Sequence, residues 1–328
     1  MHLFVGCFCL PTDIETWVGV AVSRGVRDLL FYQYSRISHE PLRLPRSLYT
    51  CETLVTLSLL HAFIADVPLN ICFMSLKSLS LEFVDFFSDD DIFHRLLSGC
   101  PVLQDLKLIR CSSHTNVRAF KIMVPSLHNL TVDDFGEPAP GVDVGYVIKA
   151  PCLKSLTINN LFGWFYSLVK MPYLVTANIK LPHGDSKKFL GCVTSARHLS
   201  LCVKQPMDSY PIGDFSQLVS LKVCACSLEW YRLILRRAPK LRVLRFQGQT
   251  NLVPTPYLND RKKCYCSSGD VQTQWERPSS VPECLVTSLE TVEWIDYKGT
   301  ESENKEIKYL SENSGGQLKT IRLRDIEF

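Results

Sequence analysis

Pro101-Val102-Leu103-Gln104-Asp105-Leu106-Lys107-Leu108 is the stretch on which the fold turns. Leu106 and Leu108 alternate with Asp105 and Lys107, the period of a half-buried strand. Leu103 stands three residues earlier, giving L-x-x-L-x-L. With other apolar residues allowed, the same arrangement occurs upstream at Val26-Leu29-Phe31, Leu54-Leu57-Leu59 and Leu76-Leu79-Leu81. Downstream it recurs at Leu127-Leu130-Val132, Leu153-Leu156-Ile158, Leu174-Ala177-Ile179, Ala196-Leu199-Leu201 and Leu218-Leu221-Val223. Leu241-Leu244-Phe246, Leu289-Val292-Trp294 and Leu318-Ile321-Leu323 complete the series. From Leu54 on, successive starts lie 21 to 29 residues apart, except for one interval of 48, a double period. Chance supplies one or two such matches, not a register kept along the chain.

This motif at a period of roughly 20–29 residues predicts an α/β leucine-rich-repeat solenoid: a curved parallel sheet with helices and loops on its convex side. Pro101, Pro125, Pro151, Pro172 and Pro239 each stand two residues before the first leucine of their repeat. Proline there should stop the preceding segment and fit the start of a strand, where its missing N–H does least harm. The connecting segments carry helix signals. Thr12-x-x-Glu15 reads as a capping box ahead of Ile14, Trp17, Val18, Ala21 and Val22 on one face. Ser88 and Asp89–Asp91 read as caps for a helix through Ile92, Phe93, Leu96 and Leu97 that Gly99 closes. Ser227 is expected to cap a helix ending before Ala238-Pro239.

If the pattern residues point inward, those between them point outward onto the concave sheet. The outward pairs include Thr56/Ser58, Ser78/Ser80, Asp105/Lys107, Asn129/Thr131, Ser155/Thr157 and Thr176/Asn178. His198/Ser200, Ser220/Lys222, Val243/Arg245, Thr291/Glu293 and Thr320/Arg322 follow, and only Val243 is apolar. Parallel sheets buried on both faces read as continuous apolar runs, so this sheet should line a solvent-filled curve. A long polar surface of that kind suits capture of a protein, and the residues from Asp105 to Lys222 are its candidate binding set. Leu161-Phe162-Gly163-Trp164-Phe165-Tyr166 is the densest aromatic cluster. Core or convex-side packing is its expected role, with a binding hot spot as the alternative.

Composition narrows the classes. At 46% hydrophobic and 21% charged residues, the chain can build a core and is not expected to be disordered. Its net charge of +3, from 36 basic and 33 acidic residues, makes neither nucleic acid nor a membrane surface the default partner. Fourteen cysteines are scattered rather than framed. The close pairs Cys224/Cys226 and Cys264/Cys266 lack zinc-site spacing and partner histidines, so buried free thiols are expected and no metal or cofactor. Met1–Leu10 lacks the basic start and cleavage site of a signal peptide. No stretch is long and apolar enough to span a membrane. The sequon Asn129-Leu130-Thr131 falls in an expected strand and reads as chance. Without a phosphate loop, a G-x-S-x-G elbow or an H-E-x-x-H helix, the chain is not expected to be an enzyme.

The repeat is interrupted between Phe246 and Leu289, where a poorly packed loop is expected. A strand over 289–294, a capping box at Thr300-x-x-Glu303, a helix to about Asn313 and a strand over 318–323 should follow. Trp275, Pro278, Val281-Pro282-Glu283-Cys284-Leu285, Ser288-Leu289-Glu290, Val292-Glu293-Trp294, Tyr297 and Gly299 resemble the FBD domain of plant F-box/FBD/LRR-repeat proteins. Tyr309-Leu310, Asn313 and Leu318-Lys319 extend the match. Leu97-Ser98-Gly99-Cys100-Pro101-Val102-Leu103, Ala150-Pro151-Cys152-Leu153 and Ile14-Glu15-Thr16-Trp17-Val18 carry it through the middle.

The resemblance implies a stub at 1–10, leucine-rich repeats over 11–247, and an FBD-like region over 248–328 that continues the sheet. It also implies the substrate-recognition arm of an SCF-type ubiquitin-ligase receptor. In that family an F-box docks on a Skp-type adaptor and the repeats capture the target. No F-box is found in this sequence, which points to a shortened member or a partial sequence. Docking on adaptor and cullin is doubtful without it. Binding without a ligase role, or a remnant, is the first alternative, and a secreted recognition receptor the second. Cytoplasm or nucleus is the expected location.

Overall fold

Leucine at every second position makes the strands, and a bend three residues earlier brings the third leucine onto the same core. The computed structural model describes residues 1–6, 9–33, 44–86, 90–110, 117–134, 144–160, 164–181, 186–203, 213–224, 231–248 and 275–324. They belong to two compact units, Met1–Met171 and Pro172–Phe328.

The first unit runs β1 (His2–Val5), α1 (Pro11–Ser23), β2 (Asp28–Gln33), β3 (Thr56–Leu60), β4 (Phe63–Ile64), β5 (Ser78–Glu82), β6 (Asp85–Phe86) and α2 (Ile92–Ser98). It continues with β7 (Asp105–Arg110), β8 (Ala119–Ile122), β9 (Asn129–Asp134), β10 (Gly145–Ile148), β11 (Ser155–Asn160) and β12 (Trp164–Leu168). The second unit holds β13 (Thr176–Leu181), α3 (Ser186–Cys192), β14 (His198–Val203), β15 (Ser220–Cys224), α4 (Tyr231–Leu235) and β16 (Val243–Gln247). Then come α5 (Glu283–Thr287), β17 (Thr291–Ile295), α6 (Glu301–Glu312) and β18 (Thr320–Arg324). Within the first unit the repeat strands pair in parallel in the order β1-β2-β3-β5-β7-β9-β11, and within the second as β13 through β18 in sequence order.

Two backbone devices recur along the repeats. A four-residue turn precedes the first leucine: Leu103 N–H bonds Cys100 O, Leu127 bonds Val124, Leu153 bonds Ala150, and Leu241 bonds Ala238, at 3.2–3.3 Å. The prolines at 101, 125, 151 and 239 therefore occupy the second residue of a turn, where their fixed φ is already correct. They do not begin a strand, as the sequence had suggested. The carbonyl just after each first leucine then receives two consecutive amides of the next repeat. Val55 O accepts from Lys77 and Ser78, Lys77 O from Gln104 and Asp105, and Gln104 O from His128 and Asn129. In the second unit Arg197 O accepts from Val219 and Ser220, and Arg242 O from Glu290 and Thr291.

The inward residues form the core: Leu57, Leu59, Leu79, Leu81, Leu106 and Leu108 are buried, as are Leu221, Val223, Leu244, Phe246, Val292 and Trp294. Each such side chain removed from water contributes about 1.5–3 kcal/mol. Ile321 and Leu323 depart from the pattern at 39% and 45% exposed, because no described element packs over the inner side of β18.

The connecting segments differ from the sequence expectation of helices and loops. Short parallel strands stand in several of them: β4 pairs with β6, and β8, β10 and β12 form a second sheet. Phe86, Phe93, Phe120, Tyr146 and Phe165 make a run of ring contacts, with successive centroids 5.0–5.7 Å apart. Phe165, in the aromatic cluster, is thus core, while Tyr166 is exposed and Leu161–Gly163 lie outside the described residues. Arg110 stacks 4.2 Å over the Phe120 ring and donates to Asp134 Oδ2 at 2.8 Å and to the Tyr146 hydroxyl at 3.2 Å. Tyr146 donates in turn to Asp134. Burial, and then the Asp134 carboxylate, push the Tyr146 phenol well above its ordinary range.

Three helix caps also correct the sequence reading. α1 starts at Pro11, so Thr12 lies inside it, and Asp13 accepts from the Leu10 amide at 3.3 Å. Proline at the first helical position fixes that start ahead of Thr12. Asp91 precedes α2 without a side-chain cap. Asp90 and Asp91 are drawn instead to the Arg118 amide and the Lys121 ammonium beside them. Ser88, Asp89 and the cap expected at Ser227 lie outside the described residues. Gly99 follows α2 with φ near −77°, not in the left-handed region. It is needed for space: a Cβ there would meet both Ile71 γ-carbons at 2.8 Å.

The second unit is tied together by one buried carboxylate. Glu306, on α6, is fully buried and accepts from Tyr231 and Arg232 of α4 and, at 2.7 Å, from Trp275 Nε1. Burial alone would lower the Arg232 pKa, but Glu306 and Tyr231 outweigh it and hold the guanidinium above its ordinary value. Trp294 stacks on Phe246 at 4.3 Å, and Tyr231 meets Phe246 edge-on at 5.1 Å. α6 carries the expected capping box: Glu303 N–H donates to Thr300 Oγ1 at 3.3 Å and Thr300 N–H to Glu303 Oε2 at 2.9 Å.

Two substitutions test these constraints in urea unfolding. Gly99→Ala should destabilise the first unit by about 1–3 kcal/mol, the cost of overpacking against Ile71. Glu306→Ala should cost the second unit about 3–5 kcal/mol, because it strands a buried guanidinium, and Glu306→Gln less. An unchanged midpoint in either would contradict the packing described.

Candidate protein-binding face

The outward positions form straight rows because neighbouring strands are in register. In the first unit Asp105 faces Asn129, which faces Ser155, and Lys107 faces Thr131, which faces Thr157. In the second, Thr176, His198 and Ser220 make one row and Asn178, Ser200 and Lys222 the next. All twelve are exposed or half-buried, while the residues between them are buried. The structure therefore gathers the candidate residues into two sets of six, one in each unit.

The rows are cross-linked in both units. In the first, Asn129 Nδ2 donates to Asp105 Oδ1 at 2.5 Å. Glu82, in the next row, receives the Lys107 ammonium and, at 3.0 Å, the Ser80 hydroxyl. In the second, Arg245 donates to Glu293 at 2.6 Å and to Ser220 at 3.1 Å, and Arg322 donates to Glu293 at 2.8 Å. The Arg245 hydrogen bond, opposed by burial and joined by Arg322, holds the Glu293 carboxyl below the ordinary glutamate range. Lys222 behaves oppositely. Burial, and then the positive charges of Lys180 and Arg245, push its pKa below the ordinary lysine value.

A third outward position on each strand was missed by the sequence reading, though the same alternation reaches it. In the second unit it carries Lys180 and Arg324, and in the first Tyr32, Leu60 and Glu82. Leu30 is also outward, so the apolar outward residues are not limited to Val243. Phe4, Tyr32, His61 and Phe83 form a ring-to-ring file with centroids 6.1, 5.6 and 4.8 Å apart, and Phe4 is 61% exposed. No helix among the described residues is long and apolar enough to cross a membrane.

Parallel strands recurring with leucine-rich spacing, buried on one side and polar in register on the other, define a leucine-rich-repeat α/β protein. Residues 14–182 match the model described as FBD-associated F-box protein At5g56370, LRR repeats, and residues 276–323 match the FBD model. The putative FBD-associated F-box protein At5g56440 of Arabidopsis thaliana is 57% identical over 330 residues, covering 100% of this chain and 75% of that protein. The F-box/FBD/LRR-repeat protein At5g56420 of the same plant is 34% identical, covering 96% and 71%. The chain belongs to the family of FBD-associated F-box/LRR proteins. No solved structure matches it.

Lys222→Gln should raise the thermal midpoint of the second unit by roughly 1–2 °C, an outcome unusual for a polar substitution. The sign follows from linkage: a lysine whose folded pKa lies below its unfolded one destabilises the fold while it is charged. The penalty is full below the folded pKa and fades as pH rises through it toward the ordinary 10.5, so the advantage of the variant should close in alkaline buffer. A lower midpoint at neutral pH would contradict the assignment.

Proposed function

We propose that the chain is the substrate-recognition arm of an F-box-type ubiquitin-ligase receptor, holding a target protein against the outward rows of its strands. One observation carries the reading: rows such as Asp105-Asn129-Ser155 and Asn178-Ser200-Lys222 keep polar groups in register on a sheet whose other side is core. A row of this kind offers many hydrogen-bonding groups at fixed spacing, which suits an extended protein surface better than a small molecule. The ligase setting is supported by family membership, since the relatives carry the F-box in their names.

The same reading gives the chain no catalysis and no cofactor of its own. Its strongly perturbed groups, the phenols of Tyr49, Tyr146 and Tyr231 and the thiols of Cys100 and Cys284, are all buried in the structural core. Cytoplasm or nucleus is the proposed location, supported by Cys9, Cys51, Cys72, Cys100, Cys152 and Cys284, which stand outside disulfides. Two of them, Cys100 and Cys284, are buried with thiols that burial pushes up to about 12.

The test is affinity purification of the tagged chain from plant cells, beside a variant carrying Thr131→Arg and Thr157→Arg. At least one protein should be recovered with the wild type and fall about 10-fold or more with the variant, the effect of crowding the centre of an interface. Recovery of a Skp-type adaptor and a cullin with it would mean that ligase membership runs through another contact or another subunit. Recovery of targets without them would remove the ligase role and leave an adaptor-free binding module. Capture insensitive to the face variants would overturn the face itself.

A further inference from the structure

The two sets of outward residues differ in charge. Across the three outward rows of β13–β18 stand the cations Lys180, Lys222, Arg245, Arg322 and Arg324, with Glu293 as the sole carboxylate. The corresponding rows of the first unit carry Asp28, Glu82, Asp105 and Asp133 against Lys107 alone. Five cations less one carboxylate leave this described face at +4, in a chain whose total is only +3.

The one carboxylate of that face is already engaged. Glu293 lies between Arg245 and Arg322 in register and accepts from both. Lys222 sits on the other side of Arg245, with Ser200 as its second register neighbour, so no carboxylate stands beside it in the row. Holding like charges together on a half-buried surface costs free energy that an anionic guest would remove.

We propose that the outward face of β13–β18 docks an extended, carboxylate-rich peptide segment of a partner protein, with its acidic side chains settling beside Lys180, Lys222 and Arg245. The inference rests on the protein-capture reading above and supplies its chemistry. The hydroxyls of Thr176, Ser200 and Ser220 lie in the rows around these cations and can bond a peptide backbone. The three rows hold no Phe, Tyr or Trp and a single ring, the His198 imidazole, so nucleic-acid bases would find no continuous stacking platform. Strands spaced about 4.8 Å apart make the face roughly 24 Å across, which an extended peptide of about eight residues spans.

Fluorescence anisotropy on the whole chain tests this with a labelled peptide of about ten residues, alternating glutamate and serine, beside the same peptide with glutamine for glutamate. The glutamate peptide should bind, the glutamine peptide about 10-fold or more weakly, and binding should weaken between about 50 and 200 mM salt. Lys222→Gln should lower affinity about 5-fold or more, while Lys305→Gln, the same charge change on α6, should not. Should Lys222→Gln fail to fold, Lys180→Gln makes the same test. Equal binding of both peptides, or none, overturns the proposal. So does a phosphoserine peptide or a uridine decamer that binds about 10-fold more tightly than the glutamate peptide and depends on Lys222. If the glutamate peptide fails while plant-cell capture still depends on Thr131 and Thr157, only this inference falls. If capture is indifferent to those residues, the underlying reading falls with it.

Discussion

Two amides converge on one carbonyl at almost every step of the repeat, as when Lys77 and Ser78 both donate to Val55 O, or Val219 and Ser220 to Arg197 O. This fork fixes where each strand starts relative to the one before it. Register in a parallel sheet is otherwise free to slip, and a slip of one residue turns every side chain to the opposite face. Because the fork forbids slippage, the second and third pattern positions always fall inward and the positions between them always fall outward. The rows on which function is argued are a by-product of that backbone geometry. A turn just before the first leucine, often entered through proline, delivers the chain to the fork at a fixed angle.

Given the rows, energetics divide cleanly between the two sides of the sheet. The inner side is close-packed leucine with aromatic rings behind it, and its buried charges stand in opposed pairs, as at Arg110-Asp134 and Arg232-Glu306. The outer side tolerates imbalance because water screens it. Screening is reduced at Lys222, which is half-buried beside Arg245. A residue that weakens its own fold while remaining available to a guest is a familiar compromise between stability and binding.

The strands were readable from sequence because their signal is a period, repeated many times and needing no knowledge of neighbours. The capping box at Thr300 and Glu303 was readable for a related reason: both partners lie within one helical turn. What the sequence hid was long-range. Glu306 shares a helix face with Tyr309 and Leu310, a position that announces burial, but its partners Tyr231 and Arg232 come from a different helix. Asp90 and Asp91 looked like helix caps because a cap is the local solution, yet Arg118 and Lys121 offered better partners from β8 and its flank. Ala119–Ile122 and Gly145–Ile148 are too short to stand out from loop, and became strands only because each had the other to pair with. Of the candidate face, the first two outward rows followed from alternation. Their charge became legible only when register showed which cations stand side by side.

The buried carboxylate of Glu306 has a consequence for how the protein is made. Its hydrogen-bond partners on α4 precede it by 75 and 74 residues. Tyr231 and Arg232 therefore leave the ribosome before the anion that compensates their burial. Until α6 emerges, closing α4 onto the sheet would strand a guanidinium away from water, so that helix must wait. The second unit consequently consolidates late in synthesis, and its nascent form presents apolar surface for as long as translation takes to reach α6. Chaperones and proteases that patrol the exit tunnel have that interval in which to decide the fate of the chain.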